Sequence, residues 1–183
     1  AGVDRKYSAV LLEEQGQAGD TGPAFWMHSD IVAPYLLRYG SAEQKARWLP
    51  PMATGEVINA IAMTEPGAGS DLRGIRTTAV ADGDELVING AKTFISNGWT
   101  ADVYFVVCKT GGAAARNGLS LVLVEADRPG FKRGKLLNKL GMRAQDTAEL
   151  YFENVRVPKS NLLGEAGRGF EYLTHELPWE RLL

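Results

Sequence analysis

The sequence predicts an α+β chain: N-terminal helices over residues 1–55, a central antiparallel β-barrel or sandwich over 56–160, and the start of a C-terminal helical bundle over 161–183. Three observations carry that reading. Apolar side chains recur at helical spacing as far as Trp48 and Leu49, short apolar runs separated by Gly-containing turns follow Thr54-Gly55, and helical spacing returns after Gly164. No segment between the apolar runs is long enough for a crossover helix, which disfavours a parallel βαβ sheet and the nucleotide folds built on it.

Residues 6–19 place Val10, Leu11 and Leu12 ahead of Glu13 and Glu14 and end at Gly16 and Gly19, a short amphipathic helix with a soft stop. Asp20 or Thr21 as N-cap, with Pro23 just inside, opens a second helix. In it Phe25, Trp26, Ile31, Val32, Tyr35, Leu36 and Tyr39 follow helical spacing up to Gly40. Ser41 with Gln44 is a capping-box pattern for a third helix through Trp48 and Leu49 to Pro50-Pro51, where two missing amide protons are expected to end it. The strand segments are Val57 to Met63, Leu86–Ile88, Tyr104–Val107, Leu119–Val124 and Leu150–Phe152. Between them stand turn signals at Asp82-Gly83, Asn89-Gly90, Asn97-Gly98, Gly111-Gly112, Asn117-Gly118 and Pro129-Gly130. Phe170, Leu173, Leu177, Leu182 and Leu183 mark the apolar side of a last helix, in which Pro178 is a kink point.

With 183 residues, 45% of them hydrophobic, the chain can bury a large core without disulfides. Its 20 basic and 22 acidic residues are interspersed, which argues against nucleic-acid binding and against a polybasic membrane contact. No apolar run reaches the roughly 18–20 residues of a membrane span, so a water-soluble protein is expected. One cysteine, Cys108, and two histidines, His28 and His175, offer no metal cluster and suit a reducing compartment. The chain opens on Ala1 and closes on Arg181, Leu182 and Leu183 inside a helical pattern, so it reads as a piece of a longer protein with any targeting segment outside it.

Two stretches carry chemistry. In Ala62-Met63-Thr64-Glu65-Pro66-Gly67-Ala68-Gly69-Ser70-Asp71 a strand runs into a Gly-rich turn. Gly67 and Gly69 would let backbone amides approach an anion, and Thr64, Ser70 and Asp71 add polar partners. The stretch is neither GxGxxG nor a P-loop, and on its residues alone a plain hairpin loop explains it as well. In Asn89-Gly90-Ala91-Lys92-Thr93-Phe94-Ile95-Ser96-Asn97-Gly98, strand alternation between two Asn-Gly turns puts Phe94 and Ser96 on one face, a surface suited to a planar heterocycle. A core Phe94 with Ser96 capping the turn is the competing reading.

Together the two stretches resemble the acyl-CoA dehydrogenase family, in which a TEPGAGSD-type loop and a WIT-type strand embrace the isoalloxazine of FAD. The resemblance extends over essentially the whole chain. It includes GSAEQKARWLPPMATGE (40–56), GMRAQDTAELYFENVRVP (141–158) and NLLGEAGRGFEYL (161–173), and is nearest the long-chain branch, where FIS stands in place of WIT. It implies that Ile61, Ala62, Met63, Thr64, Gly69 and Ser70 with Phe94, Ile95 and Ser96 hold FAD, the Ser96 hydroxyl lying beside flavin N5, the hydride acceptor. It further implies that Ser70, Arg116, Asn117, Pro178, Trp179 and Arg181 contact acyl-CoA. Electrons would leave through an electron-transfer flavoprotein, and the full-length protein would be a homo-oligomer, dimer or tetramer.

A dehydrogenation α,β to a thioester needs a carboxylate base on one face of the acyl chain and the flavin on the other. Alone, Glu180 reads as one more surface carboxylate beside an Arg. The resemblance matches it to the base that the long-chain and isovaleryl branches carry before a helix Arg; in most of the family the base lies later, which here is beyond Leu183. The reaction implied is oxidation of a fatty acyl-CoA to its trans-2-enoyl-CoA in fatty acid β-oxidation, in a bacterial cytoplasm rather than a mitochondrial matrix. The alternatives are a flavin-dependent monooxygenase or oxidase on the same fold, or a non-catalytic acyl-CoA-binding relative. His28, His175, Cys108, Asp146 and Thr147 are read as structural, and Glu171 departs from the Tyr of the long-chain branch.

Overall fold

The computed structural model describes residues 4–19, 22, 24–111 and 118–182. Helices α1 (Lys6–Gln17), α2 (Ala33–Tyr39) and α3 (Ala42–Thr54) precede strands β1 (Asn59–Ala62), β2 (Thr78–Asp82), β3 (Glu85–Ser96), β4 (Val103–Thr110), β5 (Leu119–Glu125), β6 (Phe131–Leu136), β7 (Thr147–Pro158) and β8 (Leu162–Leu163), and helix α4 (Gly169–Glu180) follows. The caps expected at Asp20 or Thr21, and Pro23, lie outside the described residues, as do Gly112 and Asn117 of two expected turns.

The second helical segment starts as a π-helix, Trp26–Val32, and becomes α-helical only at Ala33. Pro34 has no amide proton to give the Asp30 carbonyl, and the register relaxes so that the Ala33 N–H donates to the His28 carbonyl. In α3 the capping box forms as expected: Gln44 N–H donates to Ser41 Oγ at 3.1 Å and Ser41 N–H to Gln44 Oε1 at 3.0 Å. The helix does not stop at Pro50-Pro51. Trp48 and Met52, one turn apart, are both buried and carry it onward, and Gly55 at φ 78° supplies the left-handed stop.

The sheet corrects the antiparallel expectation. Its eight strands run in the order β6-β7-β3-β2-β4-β5-β8, with β1 paired to β4 beside that path. β4 lies antiparallel to β5 along one edge. Its other edge is shared by β1 (Asn59↔Val103 to Ala62↔Val106) and β2 (Thr78↔Lys109), both parallel to it. The crossover that makes this possible is the β2–β3 hairpin rather than a helix, so no helical signal announces it. Asp82-Gly83 does form the expected turn, with Asp82 facing Glu85 and Gly83 at φ 57°.

Both faces of β4 and β5 are covered, which explains their unbroken apolar runs. Val103, Phe105, Val107, Leu119, Leu121 and Leu123 pack with Tyr35, Leu36, Trp48, Tyr172 and Leu173 of the helices. Tyr104, Val106, Cys108, Val122 and Val124 pack with Ile88, Leu150, Phe152, Val155 and Val157 in a second core enclosed by the curled sheet. Cys108 is fully buried there, its thiol pushed up to about 12 by desolvation, as befits a packing residue.

Asn89-Gly90 is not a turn. It lies inside β3 at a bulge against β7, where Gly90 adopts φ 154° and a Cβ would overlap Thr77. Gly90→Ala is therefore expected to destabilise by about 1–3 kcal/mol, read as a lowered urea midpoint; a midpoint unchanged within error would contradict it.

In α4 the buried positions are Gly169, Tyr172, Leu173 and Glu176, whereas Phe170 and, just past the helix, Leu182, both expected on the apolar side, are exposed, and Leu183 lies outside the described residues. The helix passes through Pro178 to Glu180. No helix among the described residues is long and apolar enough to cross a membrane.

Candidate active site

β1 delivers Ile61 and Ala62, and the chain then leaves the sheet through Met63 and Thr64 into a tight turn. The turn closes on itself, with Glu65 N–H donating to the Ala68 carbonyl at 2.9 Å and Ala68 N–H returning to the Glu65 carbonyl at 3.1 Å. Gly67 and Gly69 face open space, so their missing side chains leave room against the turn. Asp71 borders the space between this turn and α4, but its carboxylate is engaged within its own turn. Its carboxylate accepts from Arg73 N–H and Nε, each at 3.1 Å, and caps the following short 3₁₀ turn.

Beneath the turn lies a pair that the sequence reading passed over. Lys92, on β3, is fully buried and donates to Glu65 Oε1 at 2.9 Å, the Met63 carbonyl at 3.0 Å and the Val107 carbonyl at 2.6 Å. Glu65 also accepts from the backbone N–H groups of Arg76 at 2.7 Å and Thr77 at 3.0 Å. Burial alone would raise the Glu65 pKa, but Lys92 and the Thr77 and Arg76 donors outweigh it and hold the carboxyl below its ordinary range. Burial pushes Lys92 down, and Glu65 opposes that shift. All three ammonium protons have acceptors, so one side chain ties the turn to β3 and β4. The sequence signal was a Lys inside a strand and a Glu in a Gly-rich turn, both of which read as solvent-facing.

β3 runs beside the turn, with Thr93 N–H donating to the Thr64 carbonyl at 2.9 Å. Regular alternation fails here: the pairing of β3 with β7 shifts register between Lys92 and Ile95, and Phe94 takes φ 58°. Phe94 is 66% exposed while Ile95 is buried and Ser96 half-buried. A left-handed aromatic residue costs on the order of 1–3 kcal/mol, and exposing its ring to water adds to that. The two facts together reject a core Phe94. Asn97 (φ 57°) ends the strand, its Nδ2 donating to the Asn59 carbonyl at 3.0 Å and its Oδ1 accepting from Gln145 at 2.7 Å. Asp146 accepts from Trp99 N–H at 2.6 Å and from the Thr100 hydroxyl at 2.9 Å, a structural role as expected. His28 is likewise structural: Nε2 donates to the Met52 carbonyl at 2.9 Å and Nδ1 accepts from Asn59 N–H at 3.3 Å.

Past the turn, a largely apolar cavity of about 770 Å³ separates residues 70–73 from α4. Ser70 stands at its turn side, Lys109 and Leu119 at its sheet side, and Phe170, Thr174 and Leu177 line the helix side. Ser70 thus belongs to both the turn and the cavity. Arg116 and Asn117 lie outside the described residues. Pro178 and Arg181 are exposed and Trp179 lies under the Arg5 guanidinium, 4.7 Å from its ring centroid; none of the three lines this cavity.

α4 presents two carboxylates one turn apart to α2, which runs opposite to it. Tyr35 donates to Glu180 Oε1 at 2.7 Å and Tyr39 to Glu176 Oε1 at 3.4 Å. Their surroundings differ. Glu176 is buried and ion-paired with Arg38 at 3.3 Å and Arg5 at 3.8 Å. Glu180 forms no ion pair among the described residues, and burial followed by the nearby Glu176 charge raises its carboxyl pKa, against the opposing Tyr35 bond and Arg181. Tyr35 itself belongs to the apolar cluster on which Ile61, Met63 and Leu72 pack. Glu180 is thereby anchored to the same cluster that supports the Gly-rich turn.

Comparison with known proteins shows the family. Residues 1–56 match the acyl-CoA dehydrogenase N-terminal domain and residues 60–155 the acyl-CoA dehydrogenase middle domain. The chain belongs to the acyl-CoA dehydrogenase family. It is 54% identical over its full length to the mitochondrial long-chain specific acyl-CoA dehydrogenase of Sus scrofa, covering 43% of that protein. It is 38% identical to the mitochondrial short-chain specific acyl-CoA dehydrogenase of Homo sapiens, covering 44% of it. The crystal structure of acyl-CoA dehydrogenase from Geobacillus kaustophilus superimposes with a TM-score of 0.94 at 54% identity, over 98% of this chain and 48% of that one. The chain therefore spans less than half the length of these relatives.

The residues present suit the flavin that the family uses. An exposed Phe94, half-exposed Trp99, partly open Met63 and Thr64, and the Ser96 hydroxyl offer apolar area and polar edges to a planar ring.

Proposed function

We propose that the full-length protein oxidises a fatty acyl-CoA to the trans-2-enoyl-CoA with FAD as cofactor, Glu180 acting as the base. The observation that carries this reading is the contrast between the two α4 carboxylates: Glu176 is neutralised by Arg38 and Arg5, while Glu180 is half-buried with one hydroxyl donor and a raised proton affinity. A base working near neutrality needs that second environment.

Met63, Thr64 and the Phe94-Ile95-Ser96 segment hold the flavin ring, and Ile61, Ala62, Gly69 and Ser70 support its approach to the turn. FAD when bound supplies the acceptor for the β-hydride. Ser70, reaching both turn and cavity, positions the thioester end of the substrate; Pro178, Trp179 and Arg181, which stand outside the cavity lining, would contact the acyl-CoA beyond it. Glu180, which does not itself line the cavity but follows Leu177 by about one helical turn, would take the α-proton, with Leu119, Phe170 and Leu177 forming the apolar wall that excludes water. An electron-transfer flavoprotein would be the electron acceptor, and assembly as a homo-oligomer would complete the site.

The test is anaerobic mixing of the full-length protein with saturated straight-chain acyl-CoAs. The expected result is a yellow protein whose flavin band bleaches and stays bleached until an electron-transfer flavoprotein is added. A colourless protein would overturn the flavin assignment. A flavin that acyl-CoA fails to reduce would point to the binding relative, and one reoxidised by air at the rate of turnover to an oxidase.

A further inference from the structure

The hydroxyl of Tyr35 has no packing reason to exist. The side chain is 0% exposed, and a Phe would fill the same space in the cluster without bringing a polar atom that must find a partner. That partner is Glu180, 145 residues away in sequence, at 2.7 Å. If the carboxylate swung away, the buried hydroxyl would be left unpaired, so the bond holds the carboxylate to one orientation. The second rung, Tyr39 to Glu176, together with the ion pairs from Arg38 and Arg5, fixes the register of α4 against α2 and keeps Glu180 opposite Tyr35.

We infer that Tyr35 is the positioning residue of the base: its phenol proton fixes the Glu180 carboxylate and favours the ionised form that abstracts the proton. This rests on the reading of Glu180 as base. The charges around Glu180 come from three elements. On α4 itself Glu176 disfavours ionisation and Arg181, just after the helix, favours it; from α2 the Tyr35 hydroxyl favours it; and Arg5, beside α1, and Arg38 of α2 are spent on Glu176. Among these, the Tyr35 hydroxyl is the only hydrogen-bond donor to Glu180 among the described residues. Removing it raises the proton affinity of Glu180 and frees its rotamer.

The test is the pH profile of anaerobic flavin reduction by a saturated acyl-CoA, in the full-length holoprotein carrying Tyr35→Phe. The acidic limb is expected to move up by about one pH unit, with less than tenfold loss of rate on the alkaline plateau. A merely structural Tyr35 would lower the rate by one factor at every pH, and either that result or a superimposable profile would overturn the proposal. Should Tyr35→Phe not fold, 3-fluorotyrosine at position 35 is a stronger donor and is expected to move the limb down; no movement would equally overturn it. Glu180→Gln separates the two readings. If that variant still reduces flavin, the base lies elsewhere and the underlying reading fails; if it is dead while the Tyr35 variants leave the limb in place, only the role of Tyr35 fails.

Discussion

Glu180→Gln in the full-length protein is expected to slow flavin reduction by acyl-CoA by about 10²–10⁴-fold while leaving acyl-CoA bound. The amide keeps the volume and can still accept the Tyr35 hydrogen bond, so α4 and its packing on α2 persist. What it removes is a lone pair basic enough to take the α-proton. Glu176→Gln gives the contrasting outcome: a buried carboxylate serving Arg38 and Arg5 is exchanged for a neutral group, so thermal stability falls, the chemical step survives, and with the Glu176 charge gone its acidic limb moves down. Rapid-mixing absorbance at the flavin band reads the first effect and the melting temperature the second. A Glu180→Gln protein within threefold of wild type would remove Glu180 from the mechanism.

The second large effect is expected at Lys92. Lys92→Met keeps much of the volume but leaves Glu65 buried without its cation and the Met63 and Val107 carbonyls without their donor. Breaking a buried pair from one side costs about 3–5 kcal/mol, read as a fall in urea midpoint. FAD affinity, followed by flavin fluorescence, is expected to fall with it, because the turn from Thr64 to Ser70 keeps the Thr93–Thr64 backbone bond but loses its side-chain tie to β3. The sign of the pH dependence follows from Glu65. Its folded pKa lies below the unfolded one, so its stabilisation is complete above the unfolded value and disappears as pH falls through the folded value. The Lys92→Met protein is expected to lose that acid sensitivity over the same range. Replacing both partners with apolar residues is expected to recover part of the loss; a double variant as unstable as the single one would argue that the carbonyls, not the charges, set the cost.

Local signals were the legible ones. Ser41 with Gln44, and Asp82-Gly83 between two apolar runs, specify their structures within four residues, and both formed as read. Asn89-Gly90 carries the same local signal as a hairpin turn, but Thr77, just ahead of the paired strand β2, packs against Gly90 and the pair became a bulge. The parallel edges of β4 were illegible for a related reason, since their crossover is a hairpin and leaves no helical pattern between strands. Pro50-Pro51 failed as a stop because the burial of Trp48 and Met52 outweighs two missing hydrogen bonds.

In the candidate site, the Gly-rich turn and the Phe94-Ser96 segment were visible as motifs, although their meaning came from resemblance. Lys92 and Glu65 were hidden because charge in sequence reads as surface until the partner is seen. Tyr35 was one more apolar position of a helix until its hydroxyl was found on Glu180.

A crystal structure of the full-length protein with FAD and an unreactive acyl-CoA thioether would decide whether the substrate lies between the flavin and α4. The expected result is a Glu180 carboxylate oxygen about 3–3.5 Å from the α-carbon, on the face of the acyl chain opposite the ring that rests on Phe94 and Ser96. A Glu180 turned away from that carbon, with another carboxylate in its place, would contradict the account.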